Sequence, residues 1–378
     1  MHRRHFLTAF AASALTPALL GVSETEATLD QPLERALVLS GGGARGAYEA
    51  GIVGALAAGL RDGTPIRGYA MVAGTSIGAL NGWFVATGQY AQLRELWYGI
   101  SGENPMRLKP EFAALRDPES GVLDLAASAF HFIGLRWNVK GIFQSEPAYN
   151  WIARHIDPAT PLLVPLVWAV TNLAQQRPEY FFIRPRNAGE ELPHSVVRAL
   201  QVALGAQTIV REAPPDLLHR AIFASAALPI AFDPVMMPDS DGRDTAYCDG
   251  GVASNSPVGI AHAIAKSADV VLLDPPFEPE TNYENAIDIA FGAYATMQRK
   301  IVEEEMRYAY FQSVGKRTLA RHLRALPETE LRYIRPQKEL ALRVVAFDDE
   351  VGIGDAYRQG WEDVGRGFKP YDWRTFQL

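Results

Sequence analysis

Tyr69-Ala70-Met71-Val72-Ala73-Gly74-Thr75-Ser76-Ile77-Gly78 is an apolar run that breaks at a turn of small residues, and residues 79–87 continue as an apolar helical stretch. The same grammar occurs earlier. Ala36-Leu37-Val38-Leu39 stops at Ser40 and a glycine cluster, Gly41-Gly42-Gly43-Ala44-Arg45-Gly46, and residues 47–60 then fit a helix that ends at Arg61-Asp62-Gly63-Thr64-Pro65. Short apolar runs bounded by turn signals read as buried strands. Strand, turn, helix repeated in tandem predicts an α/β fold, with a mostly parallel central sheet and helices packed on its faces. Working outward, further strands are expected at 166–171, 180–183 and 269–273. Helices are expected at 217–226 and 257–266, with the longest at 285–312. The segment 102–150 is the least regular.

The chain has 378 residues, 48% hydrophobic and 21% charged, which excludes a disordered tail, a coiled coil and a collagen-like repeat. That length fits either two domains or one large α/β unit. Cys248 is the single cysteine, so an intrachain disulfide and a Cys-rich metal site are both excluded. A net charge of −7 gives no reason to expect nucleic acid as a partner.

Residues 1–27 read as a leader. Arg3-Arg4-His5-Phe6-Leu7 precedes an uncharged apolar stretch, residues 8–20, and a small polar end, Thr25-Glu26-Ala27. A basic start, a short apolar middle and a small-residue end make a signal peptide. The paired arginines resemble a twin-arginine signal, and the other readings are an ordinary secretory signal or an uncleaved membrane anchor. The expectation is export to the periplasm or beyond.

Gly74-Thr75-Ser76-Ile77-Gly78 sits between strand and helix. A sharp strand-to-helix turn exposes its central side chain, and small residues on either side prevent collisions with neighbouring strands. Ser76 would then stand at a helix amino terminus, where N–H groups favour developing negative charge. The competing reading is a plain Gly-rich turn. Gly41 to Gly46 contains G-x-G-x-x-G, but the second strand does not end in the acidic residue that a dinucleotide site requires, and no Gly-Lys-Ser/Thr follows for a phosphate loop. What survives is a run of glycine amides free to face an oxyanion. Of the histidines beyond the leader (His131, His155, His194, His219, His262 and His322), none has the context of a catalytic base, and His262 comes closest. Asp249-Gly250-Gly251 follows the β-prone run Thr245-Ala246-Tyr247-Cys248 and precedes Ser254-Asn255-Ser256-Pro257. It reads either as an acid at a strand end or as a common turn.

Taken together, GGGARGAYEAG (41–51), GTSIGALN (74–81) and DGGVASNSPV (249–258) resemble, in this order, the three blocks of the patatin-like phospholipases, with secondary likeness at WAVTNL (168–173) and ASAALPIAFDPV (224–235). The resemblance covers residues 33–275 well and residues 276–378 weakly; the latter are expected as a helical extension packed on the same domain. It implies a three-layer α/β/α fold and a Ser–Asp dyad without histidine, with Ser76 as nucleophile and Asp249 as base. Gly42 and Gly43 are implied as oxyanion donors, with Arg45 ordering their loop. Gly41, Gly46, Gly74, Gly78, Gly250 and Gly251 are the motif glycines. No cofactor and no metal is implied. The implied activity is lipid acyl ester hydrolysis, on phospholipid or neutral lipid; the alternatives are an esterase or acyltransferase on small soluble esters, or an inactive lipid binder. The sequence departs from the family at Ser40, where many members have Asp or Gly, and at Gly251, where many have Ala.

Residues 125–151 are rich in aromatic and apolar side chains, with Arg136 and Lys140 among them. They read as a wall or lid touching lipid at a membrane surface, or as helices packed on the core. Glu303-Glu304-Glu305 on the long helix reads as a solvated face.

Overall fold

The computed structural model describes residues 33–59, 66–113, 140–185, 208–274, 286–320 and 329–376. The leader and residues 125–139 of the aromatic stretch lie outside them, as do His131, His194 and His322.

Strand β1 (Leu33–Leu39) leads through a 3-10 turn (Gly43–Arg45) into α1 (Gly46–Ala57). Strand β2 (Met71–Thr75) leads directly into α2 (Ile77–Thr87), followed by α3 (Tyr90–Glu103), the short α4 (Pro110–Ala113) and α5 (Ser145–His155). Then come β3 (Leu166–Asn172), β4 (Arg177–Ile183), β5 (Ile209–Glu212), α6 (Leu218–Ser225), β6 (Val235–Pro238) and β7 (Asp244–Asp249). The rest of the chain adds α7 (Val258–Ile264), β8 (Ala265–Val271), α8 (Ala286–Ala320), β9 (Glu330–Ile334), α9 (Glu350–Asp363) and β10 (Lys369–Pro370).

The strands form one sheet in the order β10-β9-β8-β1-β2-β3-β4-β5, with the hairpin β6–β7 joined to β3. From β9 to β3 every pairing is parallel. Alternation along β1 shows why helices cover both faces. Leu37 and Leu39 join the cluster built with α1, α2, α3, α5, α6 and α9, whereas Ala36 and Val38 join the cluster built with α7 and α8. Successive side chains of a strand point to opposite faces, so a strand apolar at every position must be buried twice. The result is the expected three-layer α/β/α arrangement.

Three local outcomes differ from the sequence reading or add to it. First, β8 begins at Ala265, immediately after α7 ends, so helix passes to strand without a loop. The Thr329 hydroxyl donates to the carbonyls of His262 (3.2 Å) and Ala265 (2.9 Å), which satisfies the helix end and lets the chain straighten at once. Second, the chain beyond residue 275 adds two strands to the sheet as well as helices. Third, α9 forms despite Gly352, Gly354 and Gly360. The Asp349 side chain caps it by accepting the Gly352 N–H at 2.8 Å. Its glycine also permits a close crossing with α1, since a β-carbon at Gly360 would lie 2.0 Å from the Tyr48 carbonyl oxygen. Close packing overrides the poor helix propensity of glycine here.

Candidate active site

Strand β3 brings the two candidate reacting groups together. Along one edge, its first half pairs with β2, Thr75 opposite Ala169, and its last residues pair with β7, Asp249 opposite Val170. β2 runs up that edge and β7 runs down it, so the strands meet end to end. Ser76 and Asp249 are the residues at the junction, and the Ser76 hydroxyl donates to Asp249 Oδ2 at 2.6 Å. Both are buried.

Ser76 adopts φ 54° and ψ −124°, a backbone region that side chains rarely enter and that costs on the order of 1–3 kcal/mol. Its surroundings hold it there. The Ser225 hydroxyl oxygen accepts the Ser76 N–H at 2.9 Å and donates its own proton to the Ala169 carbonyl at 2.6 Å. The tightness of the turn explains both flanking glycines. A β-carbon at Gly74 would lie 2.4 Å from the Gly78 carbonyl oxygen, and one at Gly78 would lie 2.3 Å from that of Leu39.

Asp249 ends β7 beside Ala227, whose carbonyl accepts the Asp249 N–H, and Thr171, whose hydroxyl donates to the Asp249 carbonyl. Its other carboxylate oxygen, Oδ1, accepts the Gly251 N–H at 2.6 Å. Burial pushes the carboxyl pKa up to about 7, against the opposing pull of hydrogen bonds from Ser76, the Gly251 amide and the Tyr294 hydroxyl. Gly250 packs directly on β3, where a β-carbon would meet the Ala169 carbonyl oxygen at 2.3 Å.

The glycine turn after β1 faces this pair. Its outer amides are engaged: Gly41 N–H donates to the Asn255 carbonyl (2.9 Å), Ala44 N–H to that of Val344 (2.8 Å) and Arg45 N–H to that of Gly42 (3.2 Å). Among the described residues the Gly42 and Gly43 amides take no backbone acceptor, and both glycines line the cleft with Ser76 and Asp249. The Arg45 guanidinium points elsewhere, to the Leu342 carbonyl at 3.1 Å and Asp274 at 3.2 Å, so it ties the turn to later parts of the chain. Gly46 opens α1 against Ile77.

The cleft spans about 740 Å³ of empty space, the open solvent at its mouth included. Its walls are apolar, with Leu80, Met106, Trp151, Phe223, Phe232 and Phe347 among them. Of the aromatic stretch 125–151, the described part (140–151) is buried core at Ile142, Phe143 and Trp151, and Trp151 also forms cleft wall. No described histidine lines the cleft. His262 is buried in α7, while His155 and His219 bond the carbonyls of Trp151 and Ile156.

Four residues to which the sequence reading gave no part in the site support the pair or the turns beside it. Ser225 falls within the stretch ASAALPIAFDPV and was within reach there. Tyr294, Gln298 and Glu305 lie on α8, at spacings that place them on one helix face. The expectation of a solvated Glu303-Glu304-Glu305 face needs correcting. Glu303 and Glu304 pair with Lys300 and Arg307 at the surface, but Glu305 turns inward and accepts from the Ser254 hydroxyl (2.5 Å) and the Ser256 N–H (2.8 Å). Burial raises its pKa to about 8.

The family model described as patatin-like phospholipase matches residues 37–262, and no curated protein matches the chain in sequence. Among solved structures, the chain is similar to VipD from Legionella pneumophila, with 13% identity and a TM-score of 0.36 over 92% of this chain and 70% of that one. The family match spans more than half of the chain and includes the serine turn, the glycine turn and the aspartate strand end: the chain belongs to the patatin-like phospholipase family.

Proposed function

We propose that this protein is a serine lipid acyl hydrolase that cleaves acyl esters of phospholipids or neutral lipids through a Ser76–Asp249 dyad and an acyl-enzyme. One observation carries the reading: the 2.6 Å hydrogen bond from the Ser76 hydroxyl to the buried Asp249 carboxylate, at the floor of an apolar cleft. In this mechanism Ser76 attacks the ester carbonyl carbon while Asp249 takes its proton. The C–O bond to the alcohol breaks, and Asp249 returns the proton to the departing oxygen. Water then repeats the sequence on the acyl-enzyme and releases the fatty acid. A carboxyl raised to about 7 is a far better base than an exposed carboxylate, which is what a dyad lacking imidazole requires. The Gly42 and Gly43 amides are assigned to the oxyanion; each such donor is worth about 2.7–4 kcal/mol in the transition state. The acyl chain lies against the apolar walls, gaining about 0.8 kcal/mol per methylene removed from water.

A fluorophosphonate probe is expected to label the protein and to fail on Ser76→Ala. Rates on p-nitrophenyl esters are expected to rise beyond acetate; a maximum at acetate would favour the small-ester reading. Thin-layer separation of products from mixed phospholipids and triacylglycerol identifies the lipid class. Residues 1–27 support export by a twin-arginine-like route, tested by locating the protein in cell fractions after Arg3 and Arg4 are both changed to Lys. No helix among the described residues is long and apolar enough to cross a membrane, and contact with a lipid surface is proposed as transient.

A further inference from the structure

We propose that Tyr294, held by Gln298, is a positioning residue for the Asp249 base, and that the lack of a side chain at Gly251 is what admits the pair. The inference rests on the dyad reading above. Tyr294 and Gln298 are one helical turn apart on α8, so their side chains leave the same face. Gln298 is buried, and its Nε2 donates to the Tyr294 hydroxyl oxygen at 2.9 Å and to Asn255 Oδ1 at 3.2 Å. With its oxygen engaged by Gln298, the Tyr294 hydroxyl has its proton left to turn toward the Asp249 carboxylate beside it. The base is bonded by Ser76 on Oδ2 and by the Gly251 amide on Oδ1, and Tyr294 faces it from α8.

Gly251 shows how closely this fits. A β-carbon there would lie 2.3 Å from Gln298 Nε2, 2.6 Å from Asn255 Oδ1 and 2.9 Å from Asp249 Oδ1. Gln298 thus occupies the space that any side chain at 251 would need. Asn255 links the device to the glycine turn, since its carbonyl accepts the Gly41 amide and its own amide lies 3.4 Å from the Gly41 carbonyl.

The consequence is a defined state of the base. Among the described residues, the side chains that face the Asp249 carboxyl with a proton are Ser76 at the start of α2, Cys248 from its own strand and Tyr294 from α8, while β3 brings the Thr171 hydroxyl to the Asp249 carbonyl. Among the described residues no cation offsets the burial, so donated hydrogen bonds are what hold the carboxyl pKa down to about 7, and Tyr294 is one of the groups that lower it.

The test is the pH profile of kcat/KM on p-nitrophenyl butyrate, and of fluorophosphonate labelling, for Tyr294→Phe and Gln298→Met. Loss of the tyrosine proton is expected to move the acid limb upward by about one pH unit, the tenfold change in proton affinity that one hydrogen bond to a charged group supplies. Gln298→Met is expected to move it in the same direction by less, and the double variant no further than Tyr294→Phe. Thermal melts confirm folding, and should Tyr294→Phe not fold, Gln298→Met carries the test. An unmoved acid limb in a folded variant, including a uniform rate loss at all pH values, overturns the positioning role. The dyad reading fails separately, if Ser76→Ala is still labelled or Asp249→Asn retains near-normal turnover.

Discussion

Asp249 is buried with a carboxyl pKa raised to about 7, and this single fact sets two measurable expectations in opposite directions. For activity, kcat/KM is expected to rise with pH along an acid limb centred near 7, since only the ionised form accepts the serine proton. For stability the sign reverses. The native state holds its proton more tightly than the unfolded chain, so this contribution is full below the ordinary carboxylate pKa and is lost as pH rises through about 7. Asp249→Asn is therefore expected to cut turnover by at least about a thousandfold yet to melt higher than the parent at pH 8, by about 1–3 kcal/mol. Scanning calorimetry at pH 5 and pH 8 checks the crossing. Ser225→Ala leaves the buried Ser76 N–H without its acceptor and is expected to cost about 1–3 kcal/mol in urea denaturation, with reduced labelling of Ser76. Ser76 was legible in the sequence because a tight turn demands small neighbours, whereas Asp249, in what alone reads as a common turn, stood out only through the ordered resemblance of the three blocks. Tyr294, Gln298 and Glu305 were not legible. A tyrosine, a glutamine and a glutamate on a helix look the same in sequence whether they meet solvent or a buried strand end and turn 43 to 51 residues away.

Among the elements, the strand–turn–helix units were readable because each apolar run stops at glycine. The antiparallel arrival of β7 was not, since pairing direction is set by tertiary contacts that no local pattern records. The glycine turn shows how much an element depends on distant chain. Gly43 has φ +57°, and a β-carbon there would lie 2.1 Å from the Val344 carbonyl oxygen, the acceptor that anchors Ala44. Gly43→Ala is expected to push the turn off Val344 and to lower kcat by about 10²–10³-fold while KM changes little, as loss of an aligned oxyanion donor does. Steady-state kinetics separates this from a folding defect. At the α1–α9 crossing, Gly51 and Gly360 each face backbone of the other helix, with β-carbon distances of 2.0 Å to the Tyr357 and Tyr48 carbonyl oxygens. Gly360→Ala should accordingly destabilise by about 1–3 kcal/mol, read as a lower denaturation midpoint.

At the scale of the whole molecule, the family match ends at residue 262, but the site does not. Val344 and Leu342 hold the glycine turn, Tyr294 reaches Asp249, and Glu305 holds the turn at Ser254 to Ser256. A chain ending at residue 275 is expected to be unlabelled by fluorophosphonate, because it lacks these supports and two strands of the sheet. Glu305, raised to about 8, and Glu49, raised well above its ordinary value, share the direction of Asp249 and have burial as the leading cause. The sequence could show that the molecule is acidic but could not show which carboxyls are buried. The end-to-end meeting of β2 and β7 along one edge of β3 has a further consequence. Strand side chains alternate between faces, so a slip of β7 by one residue would send the aspartate to the opposite side of the sheet. A misthreaded molecule would be inert rather than sluggish, and each turnover would certify that the return strand had found its place.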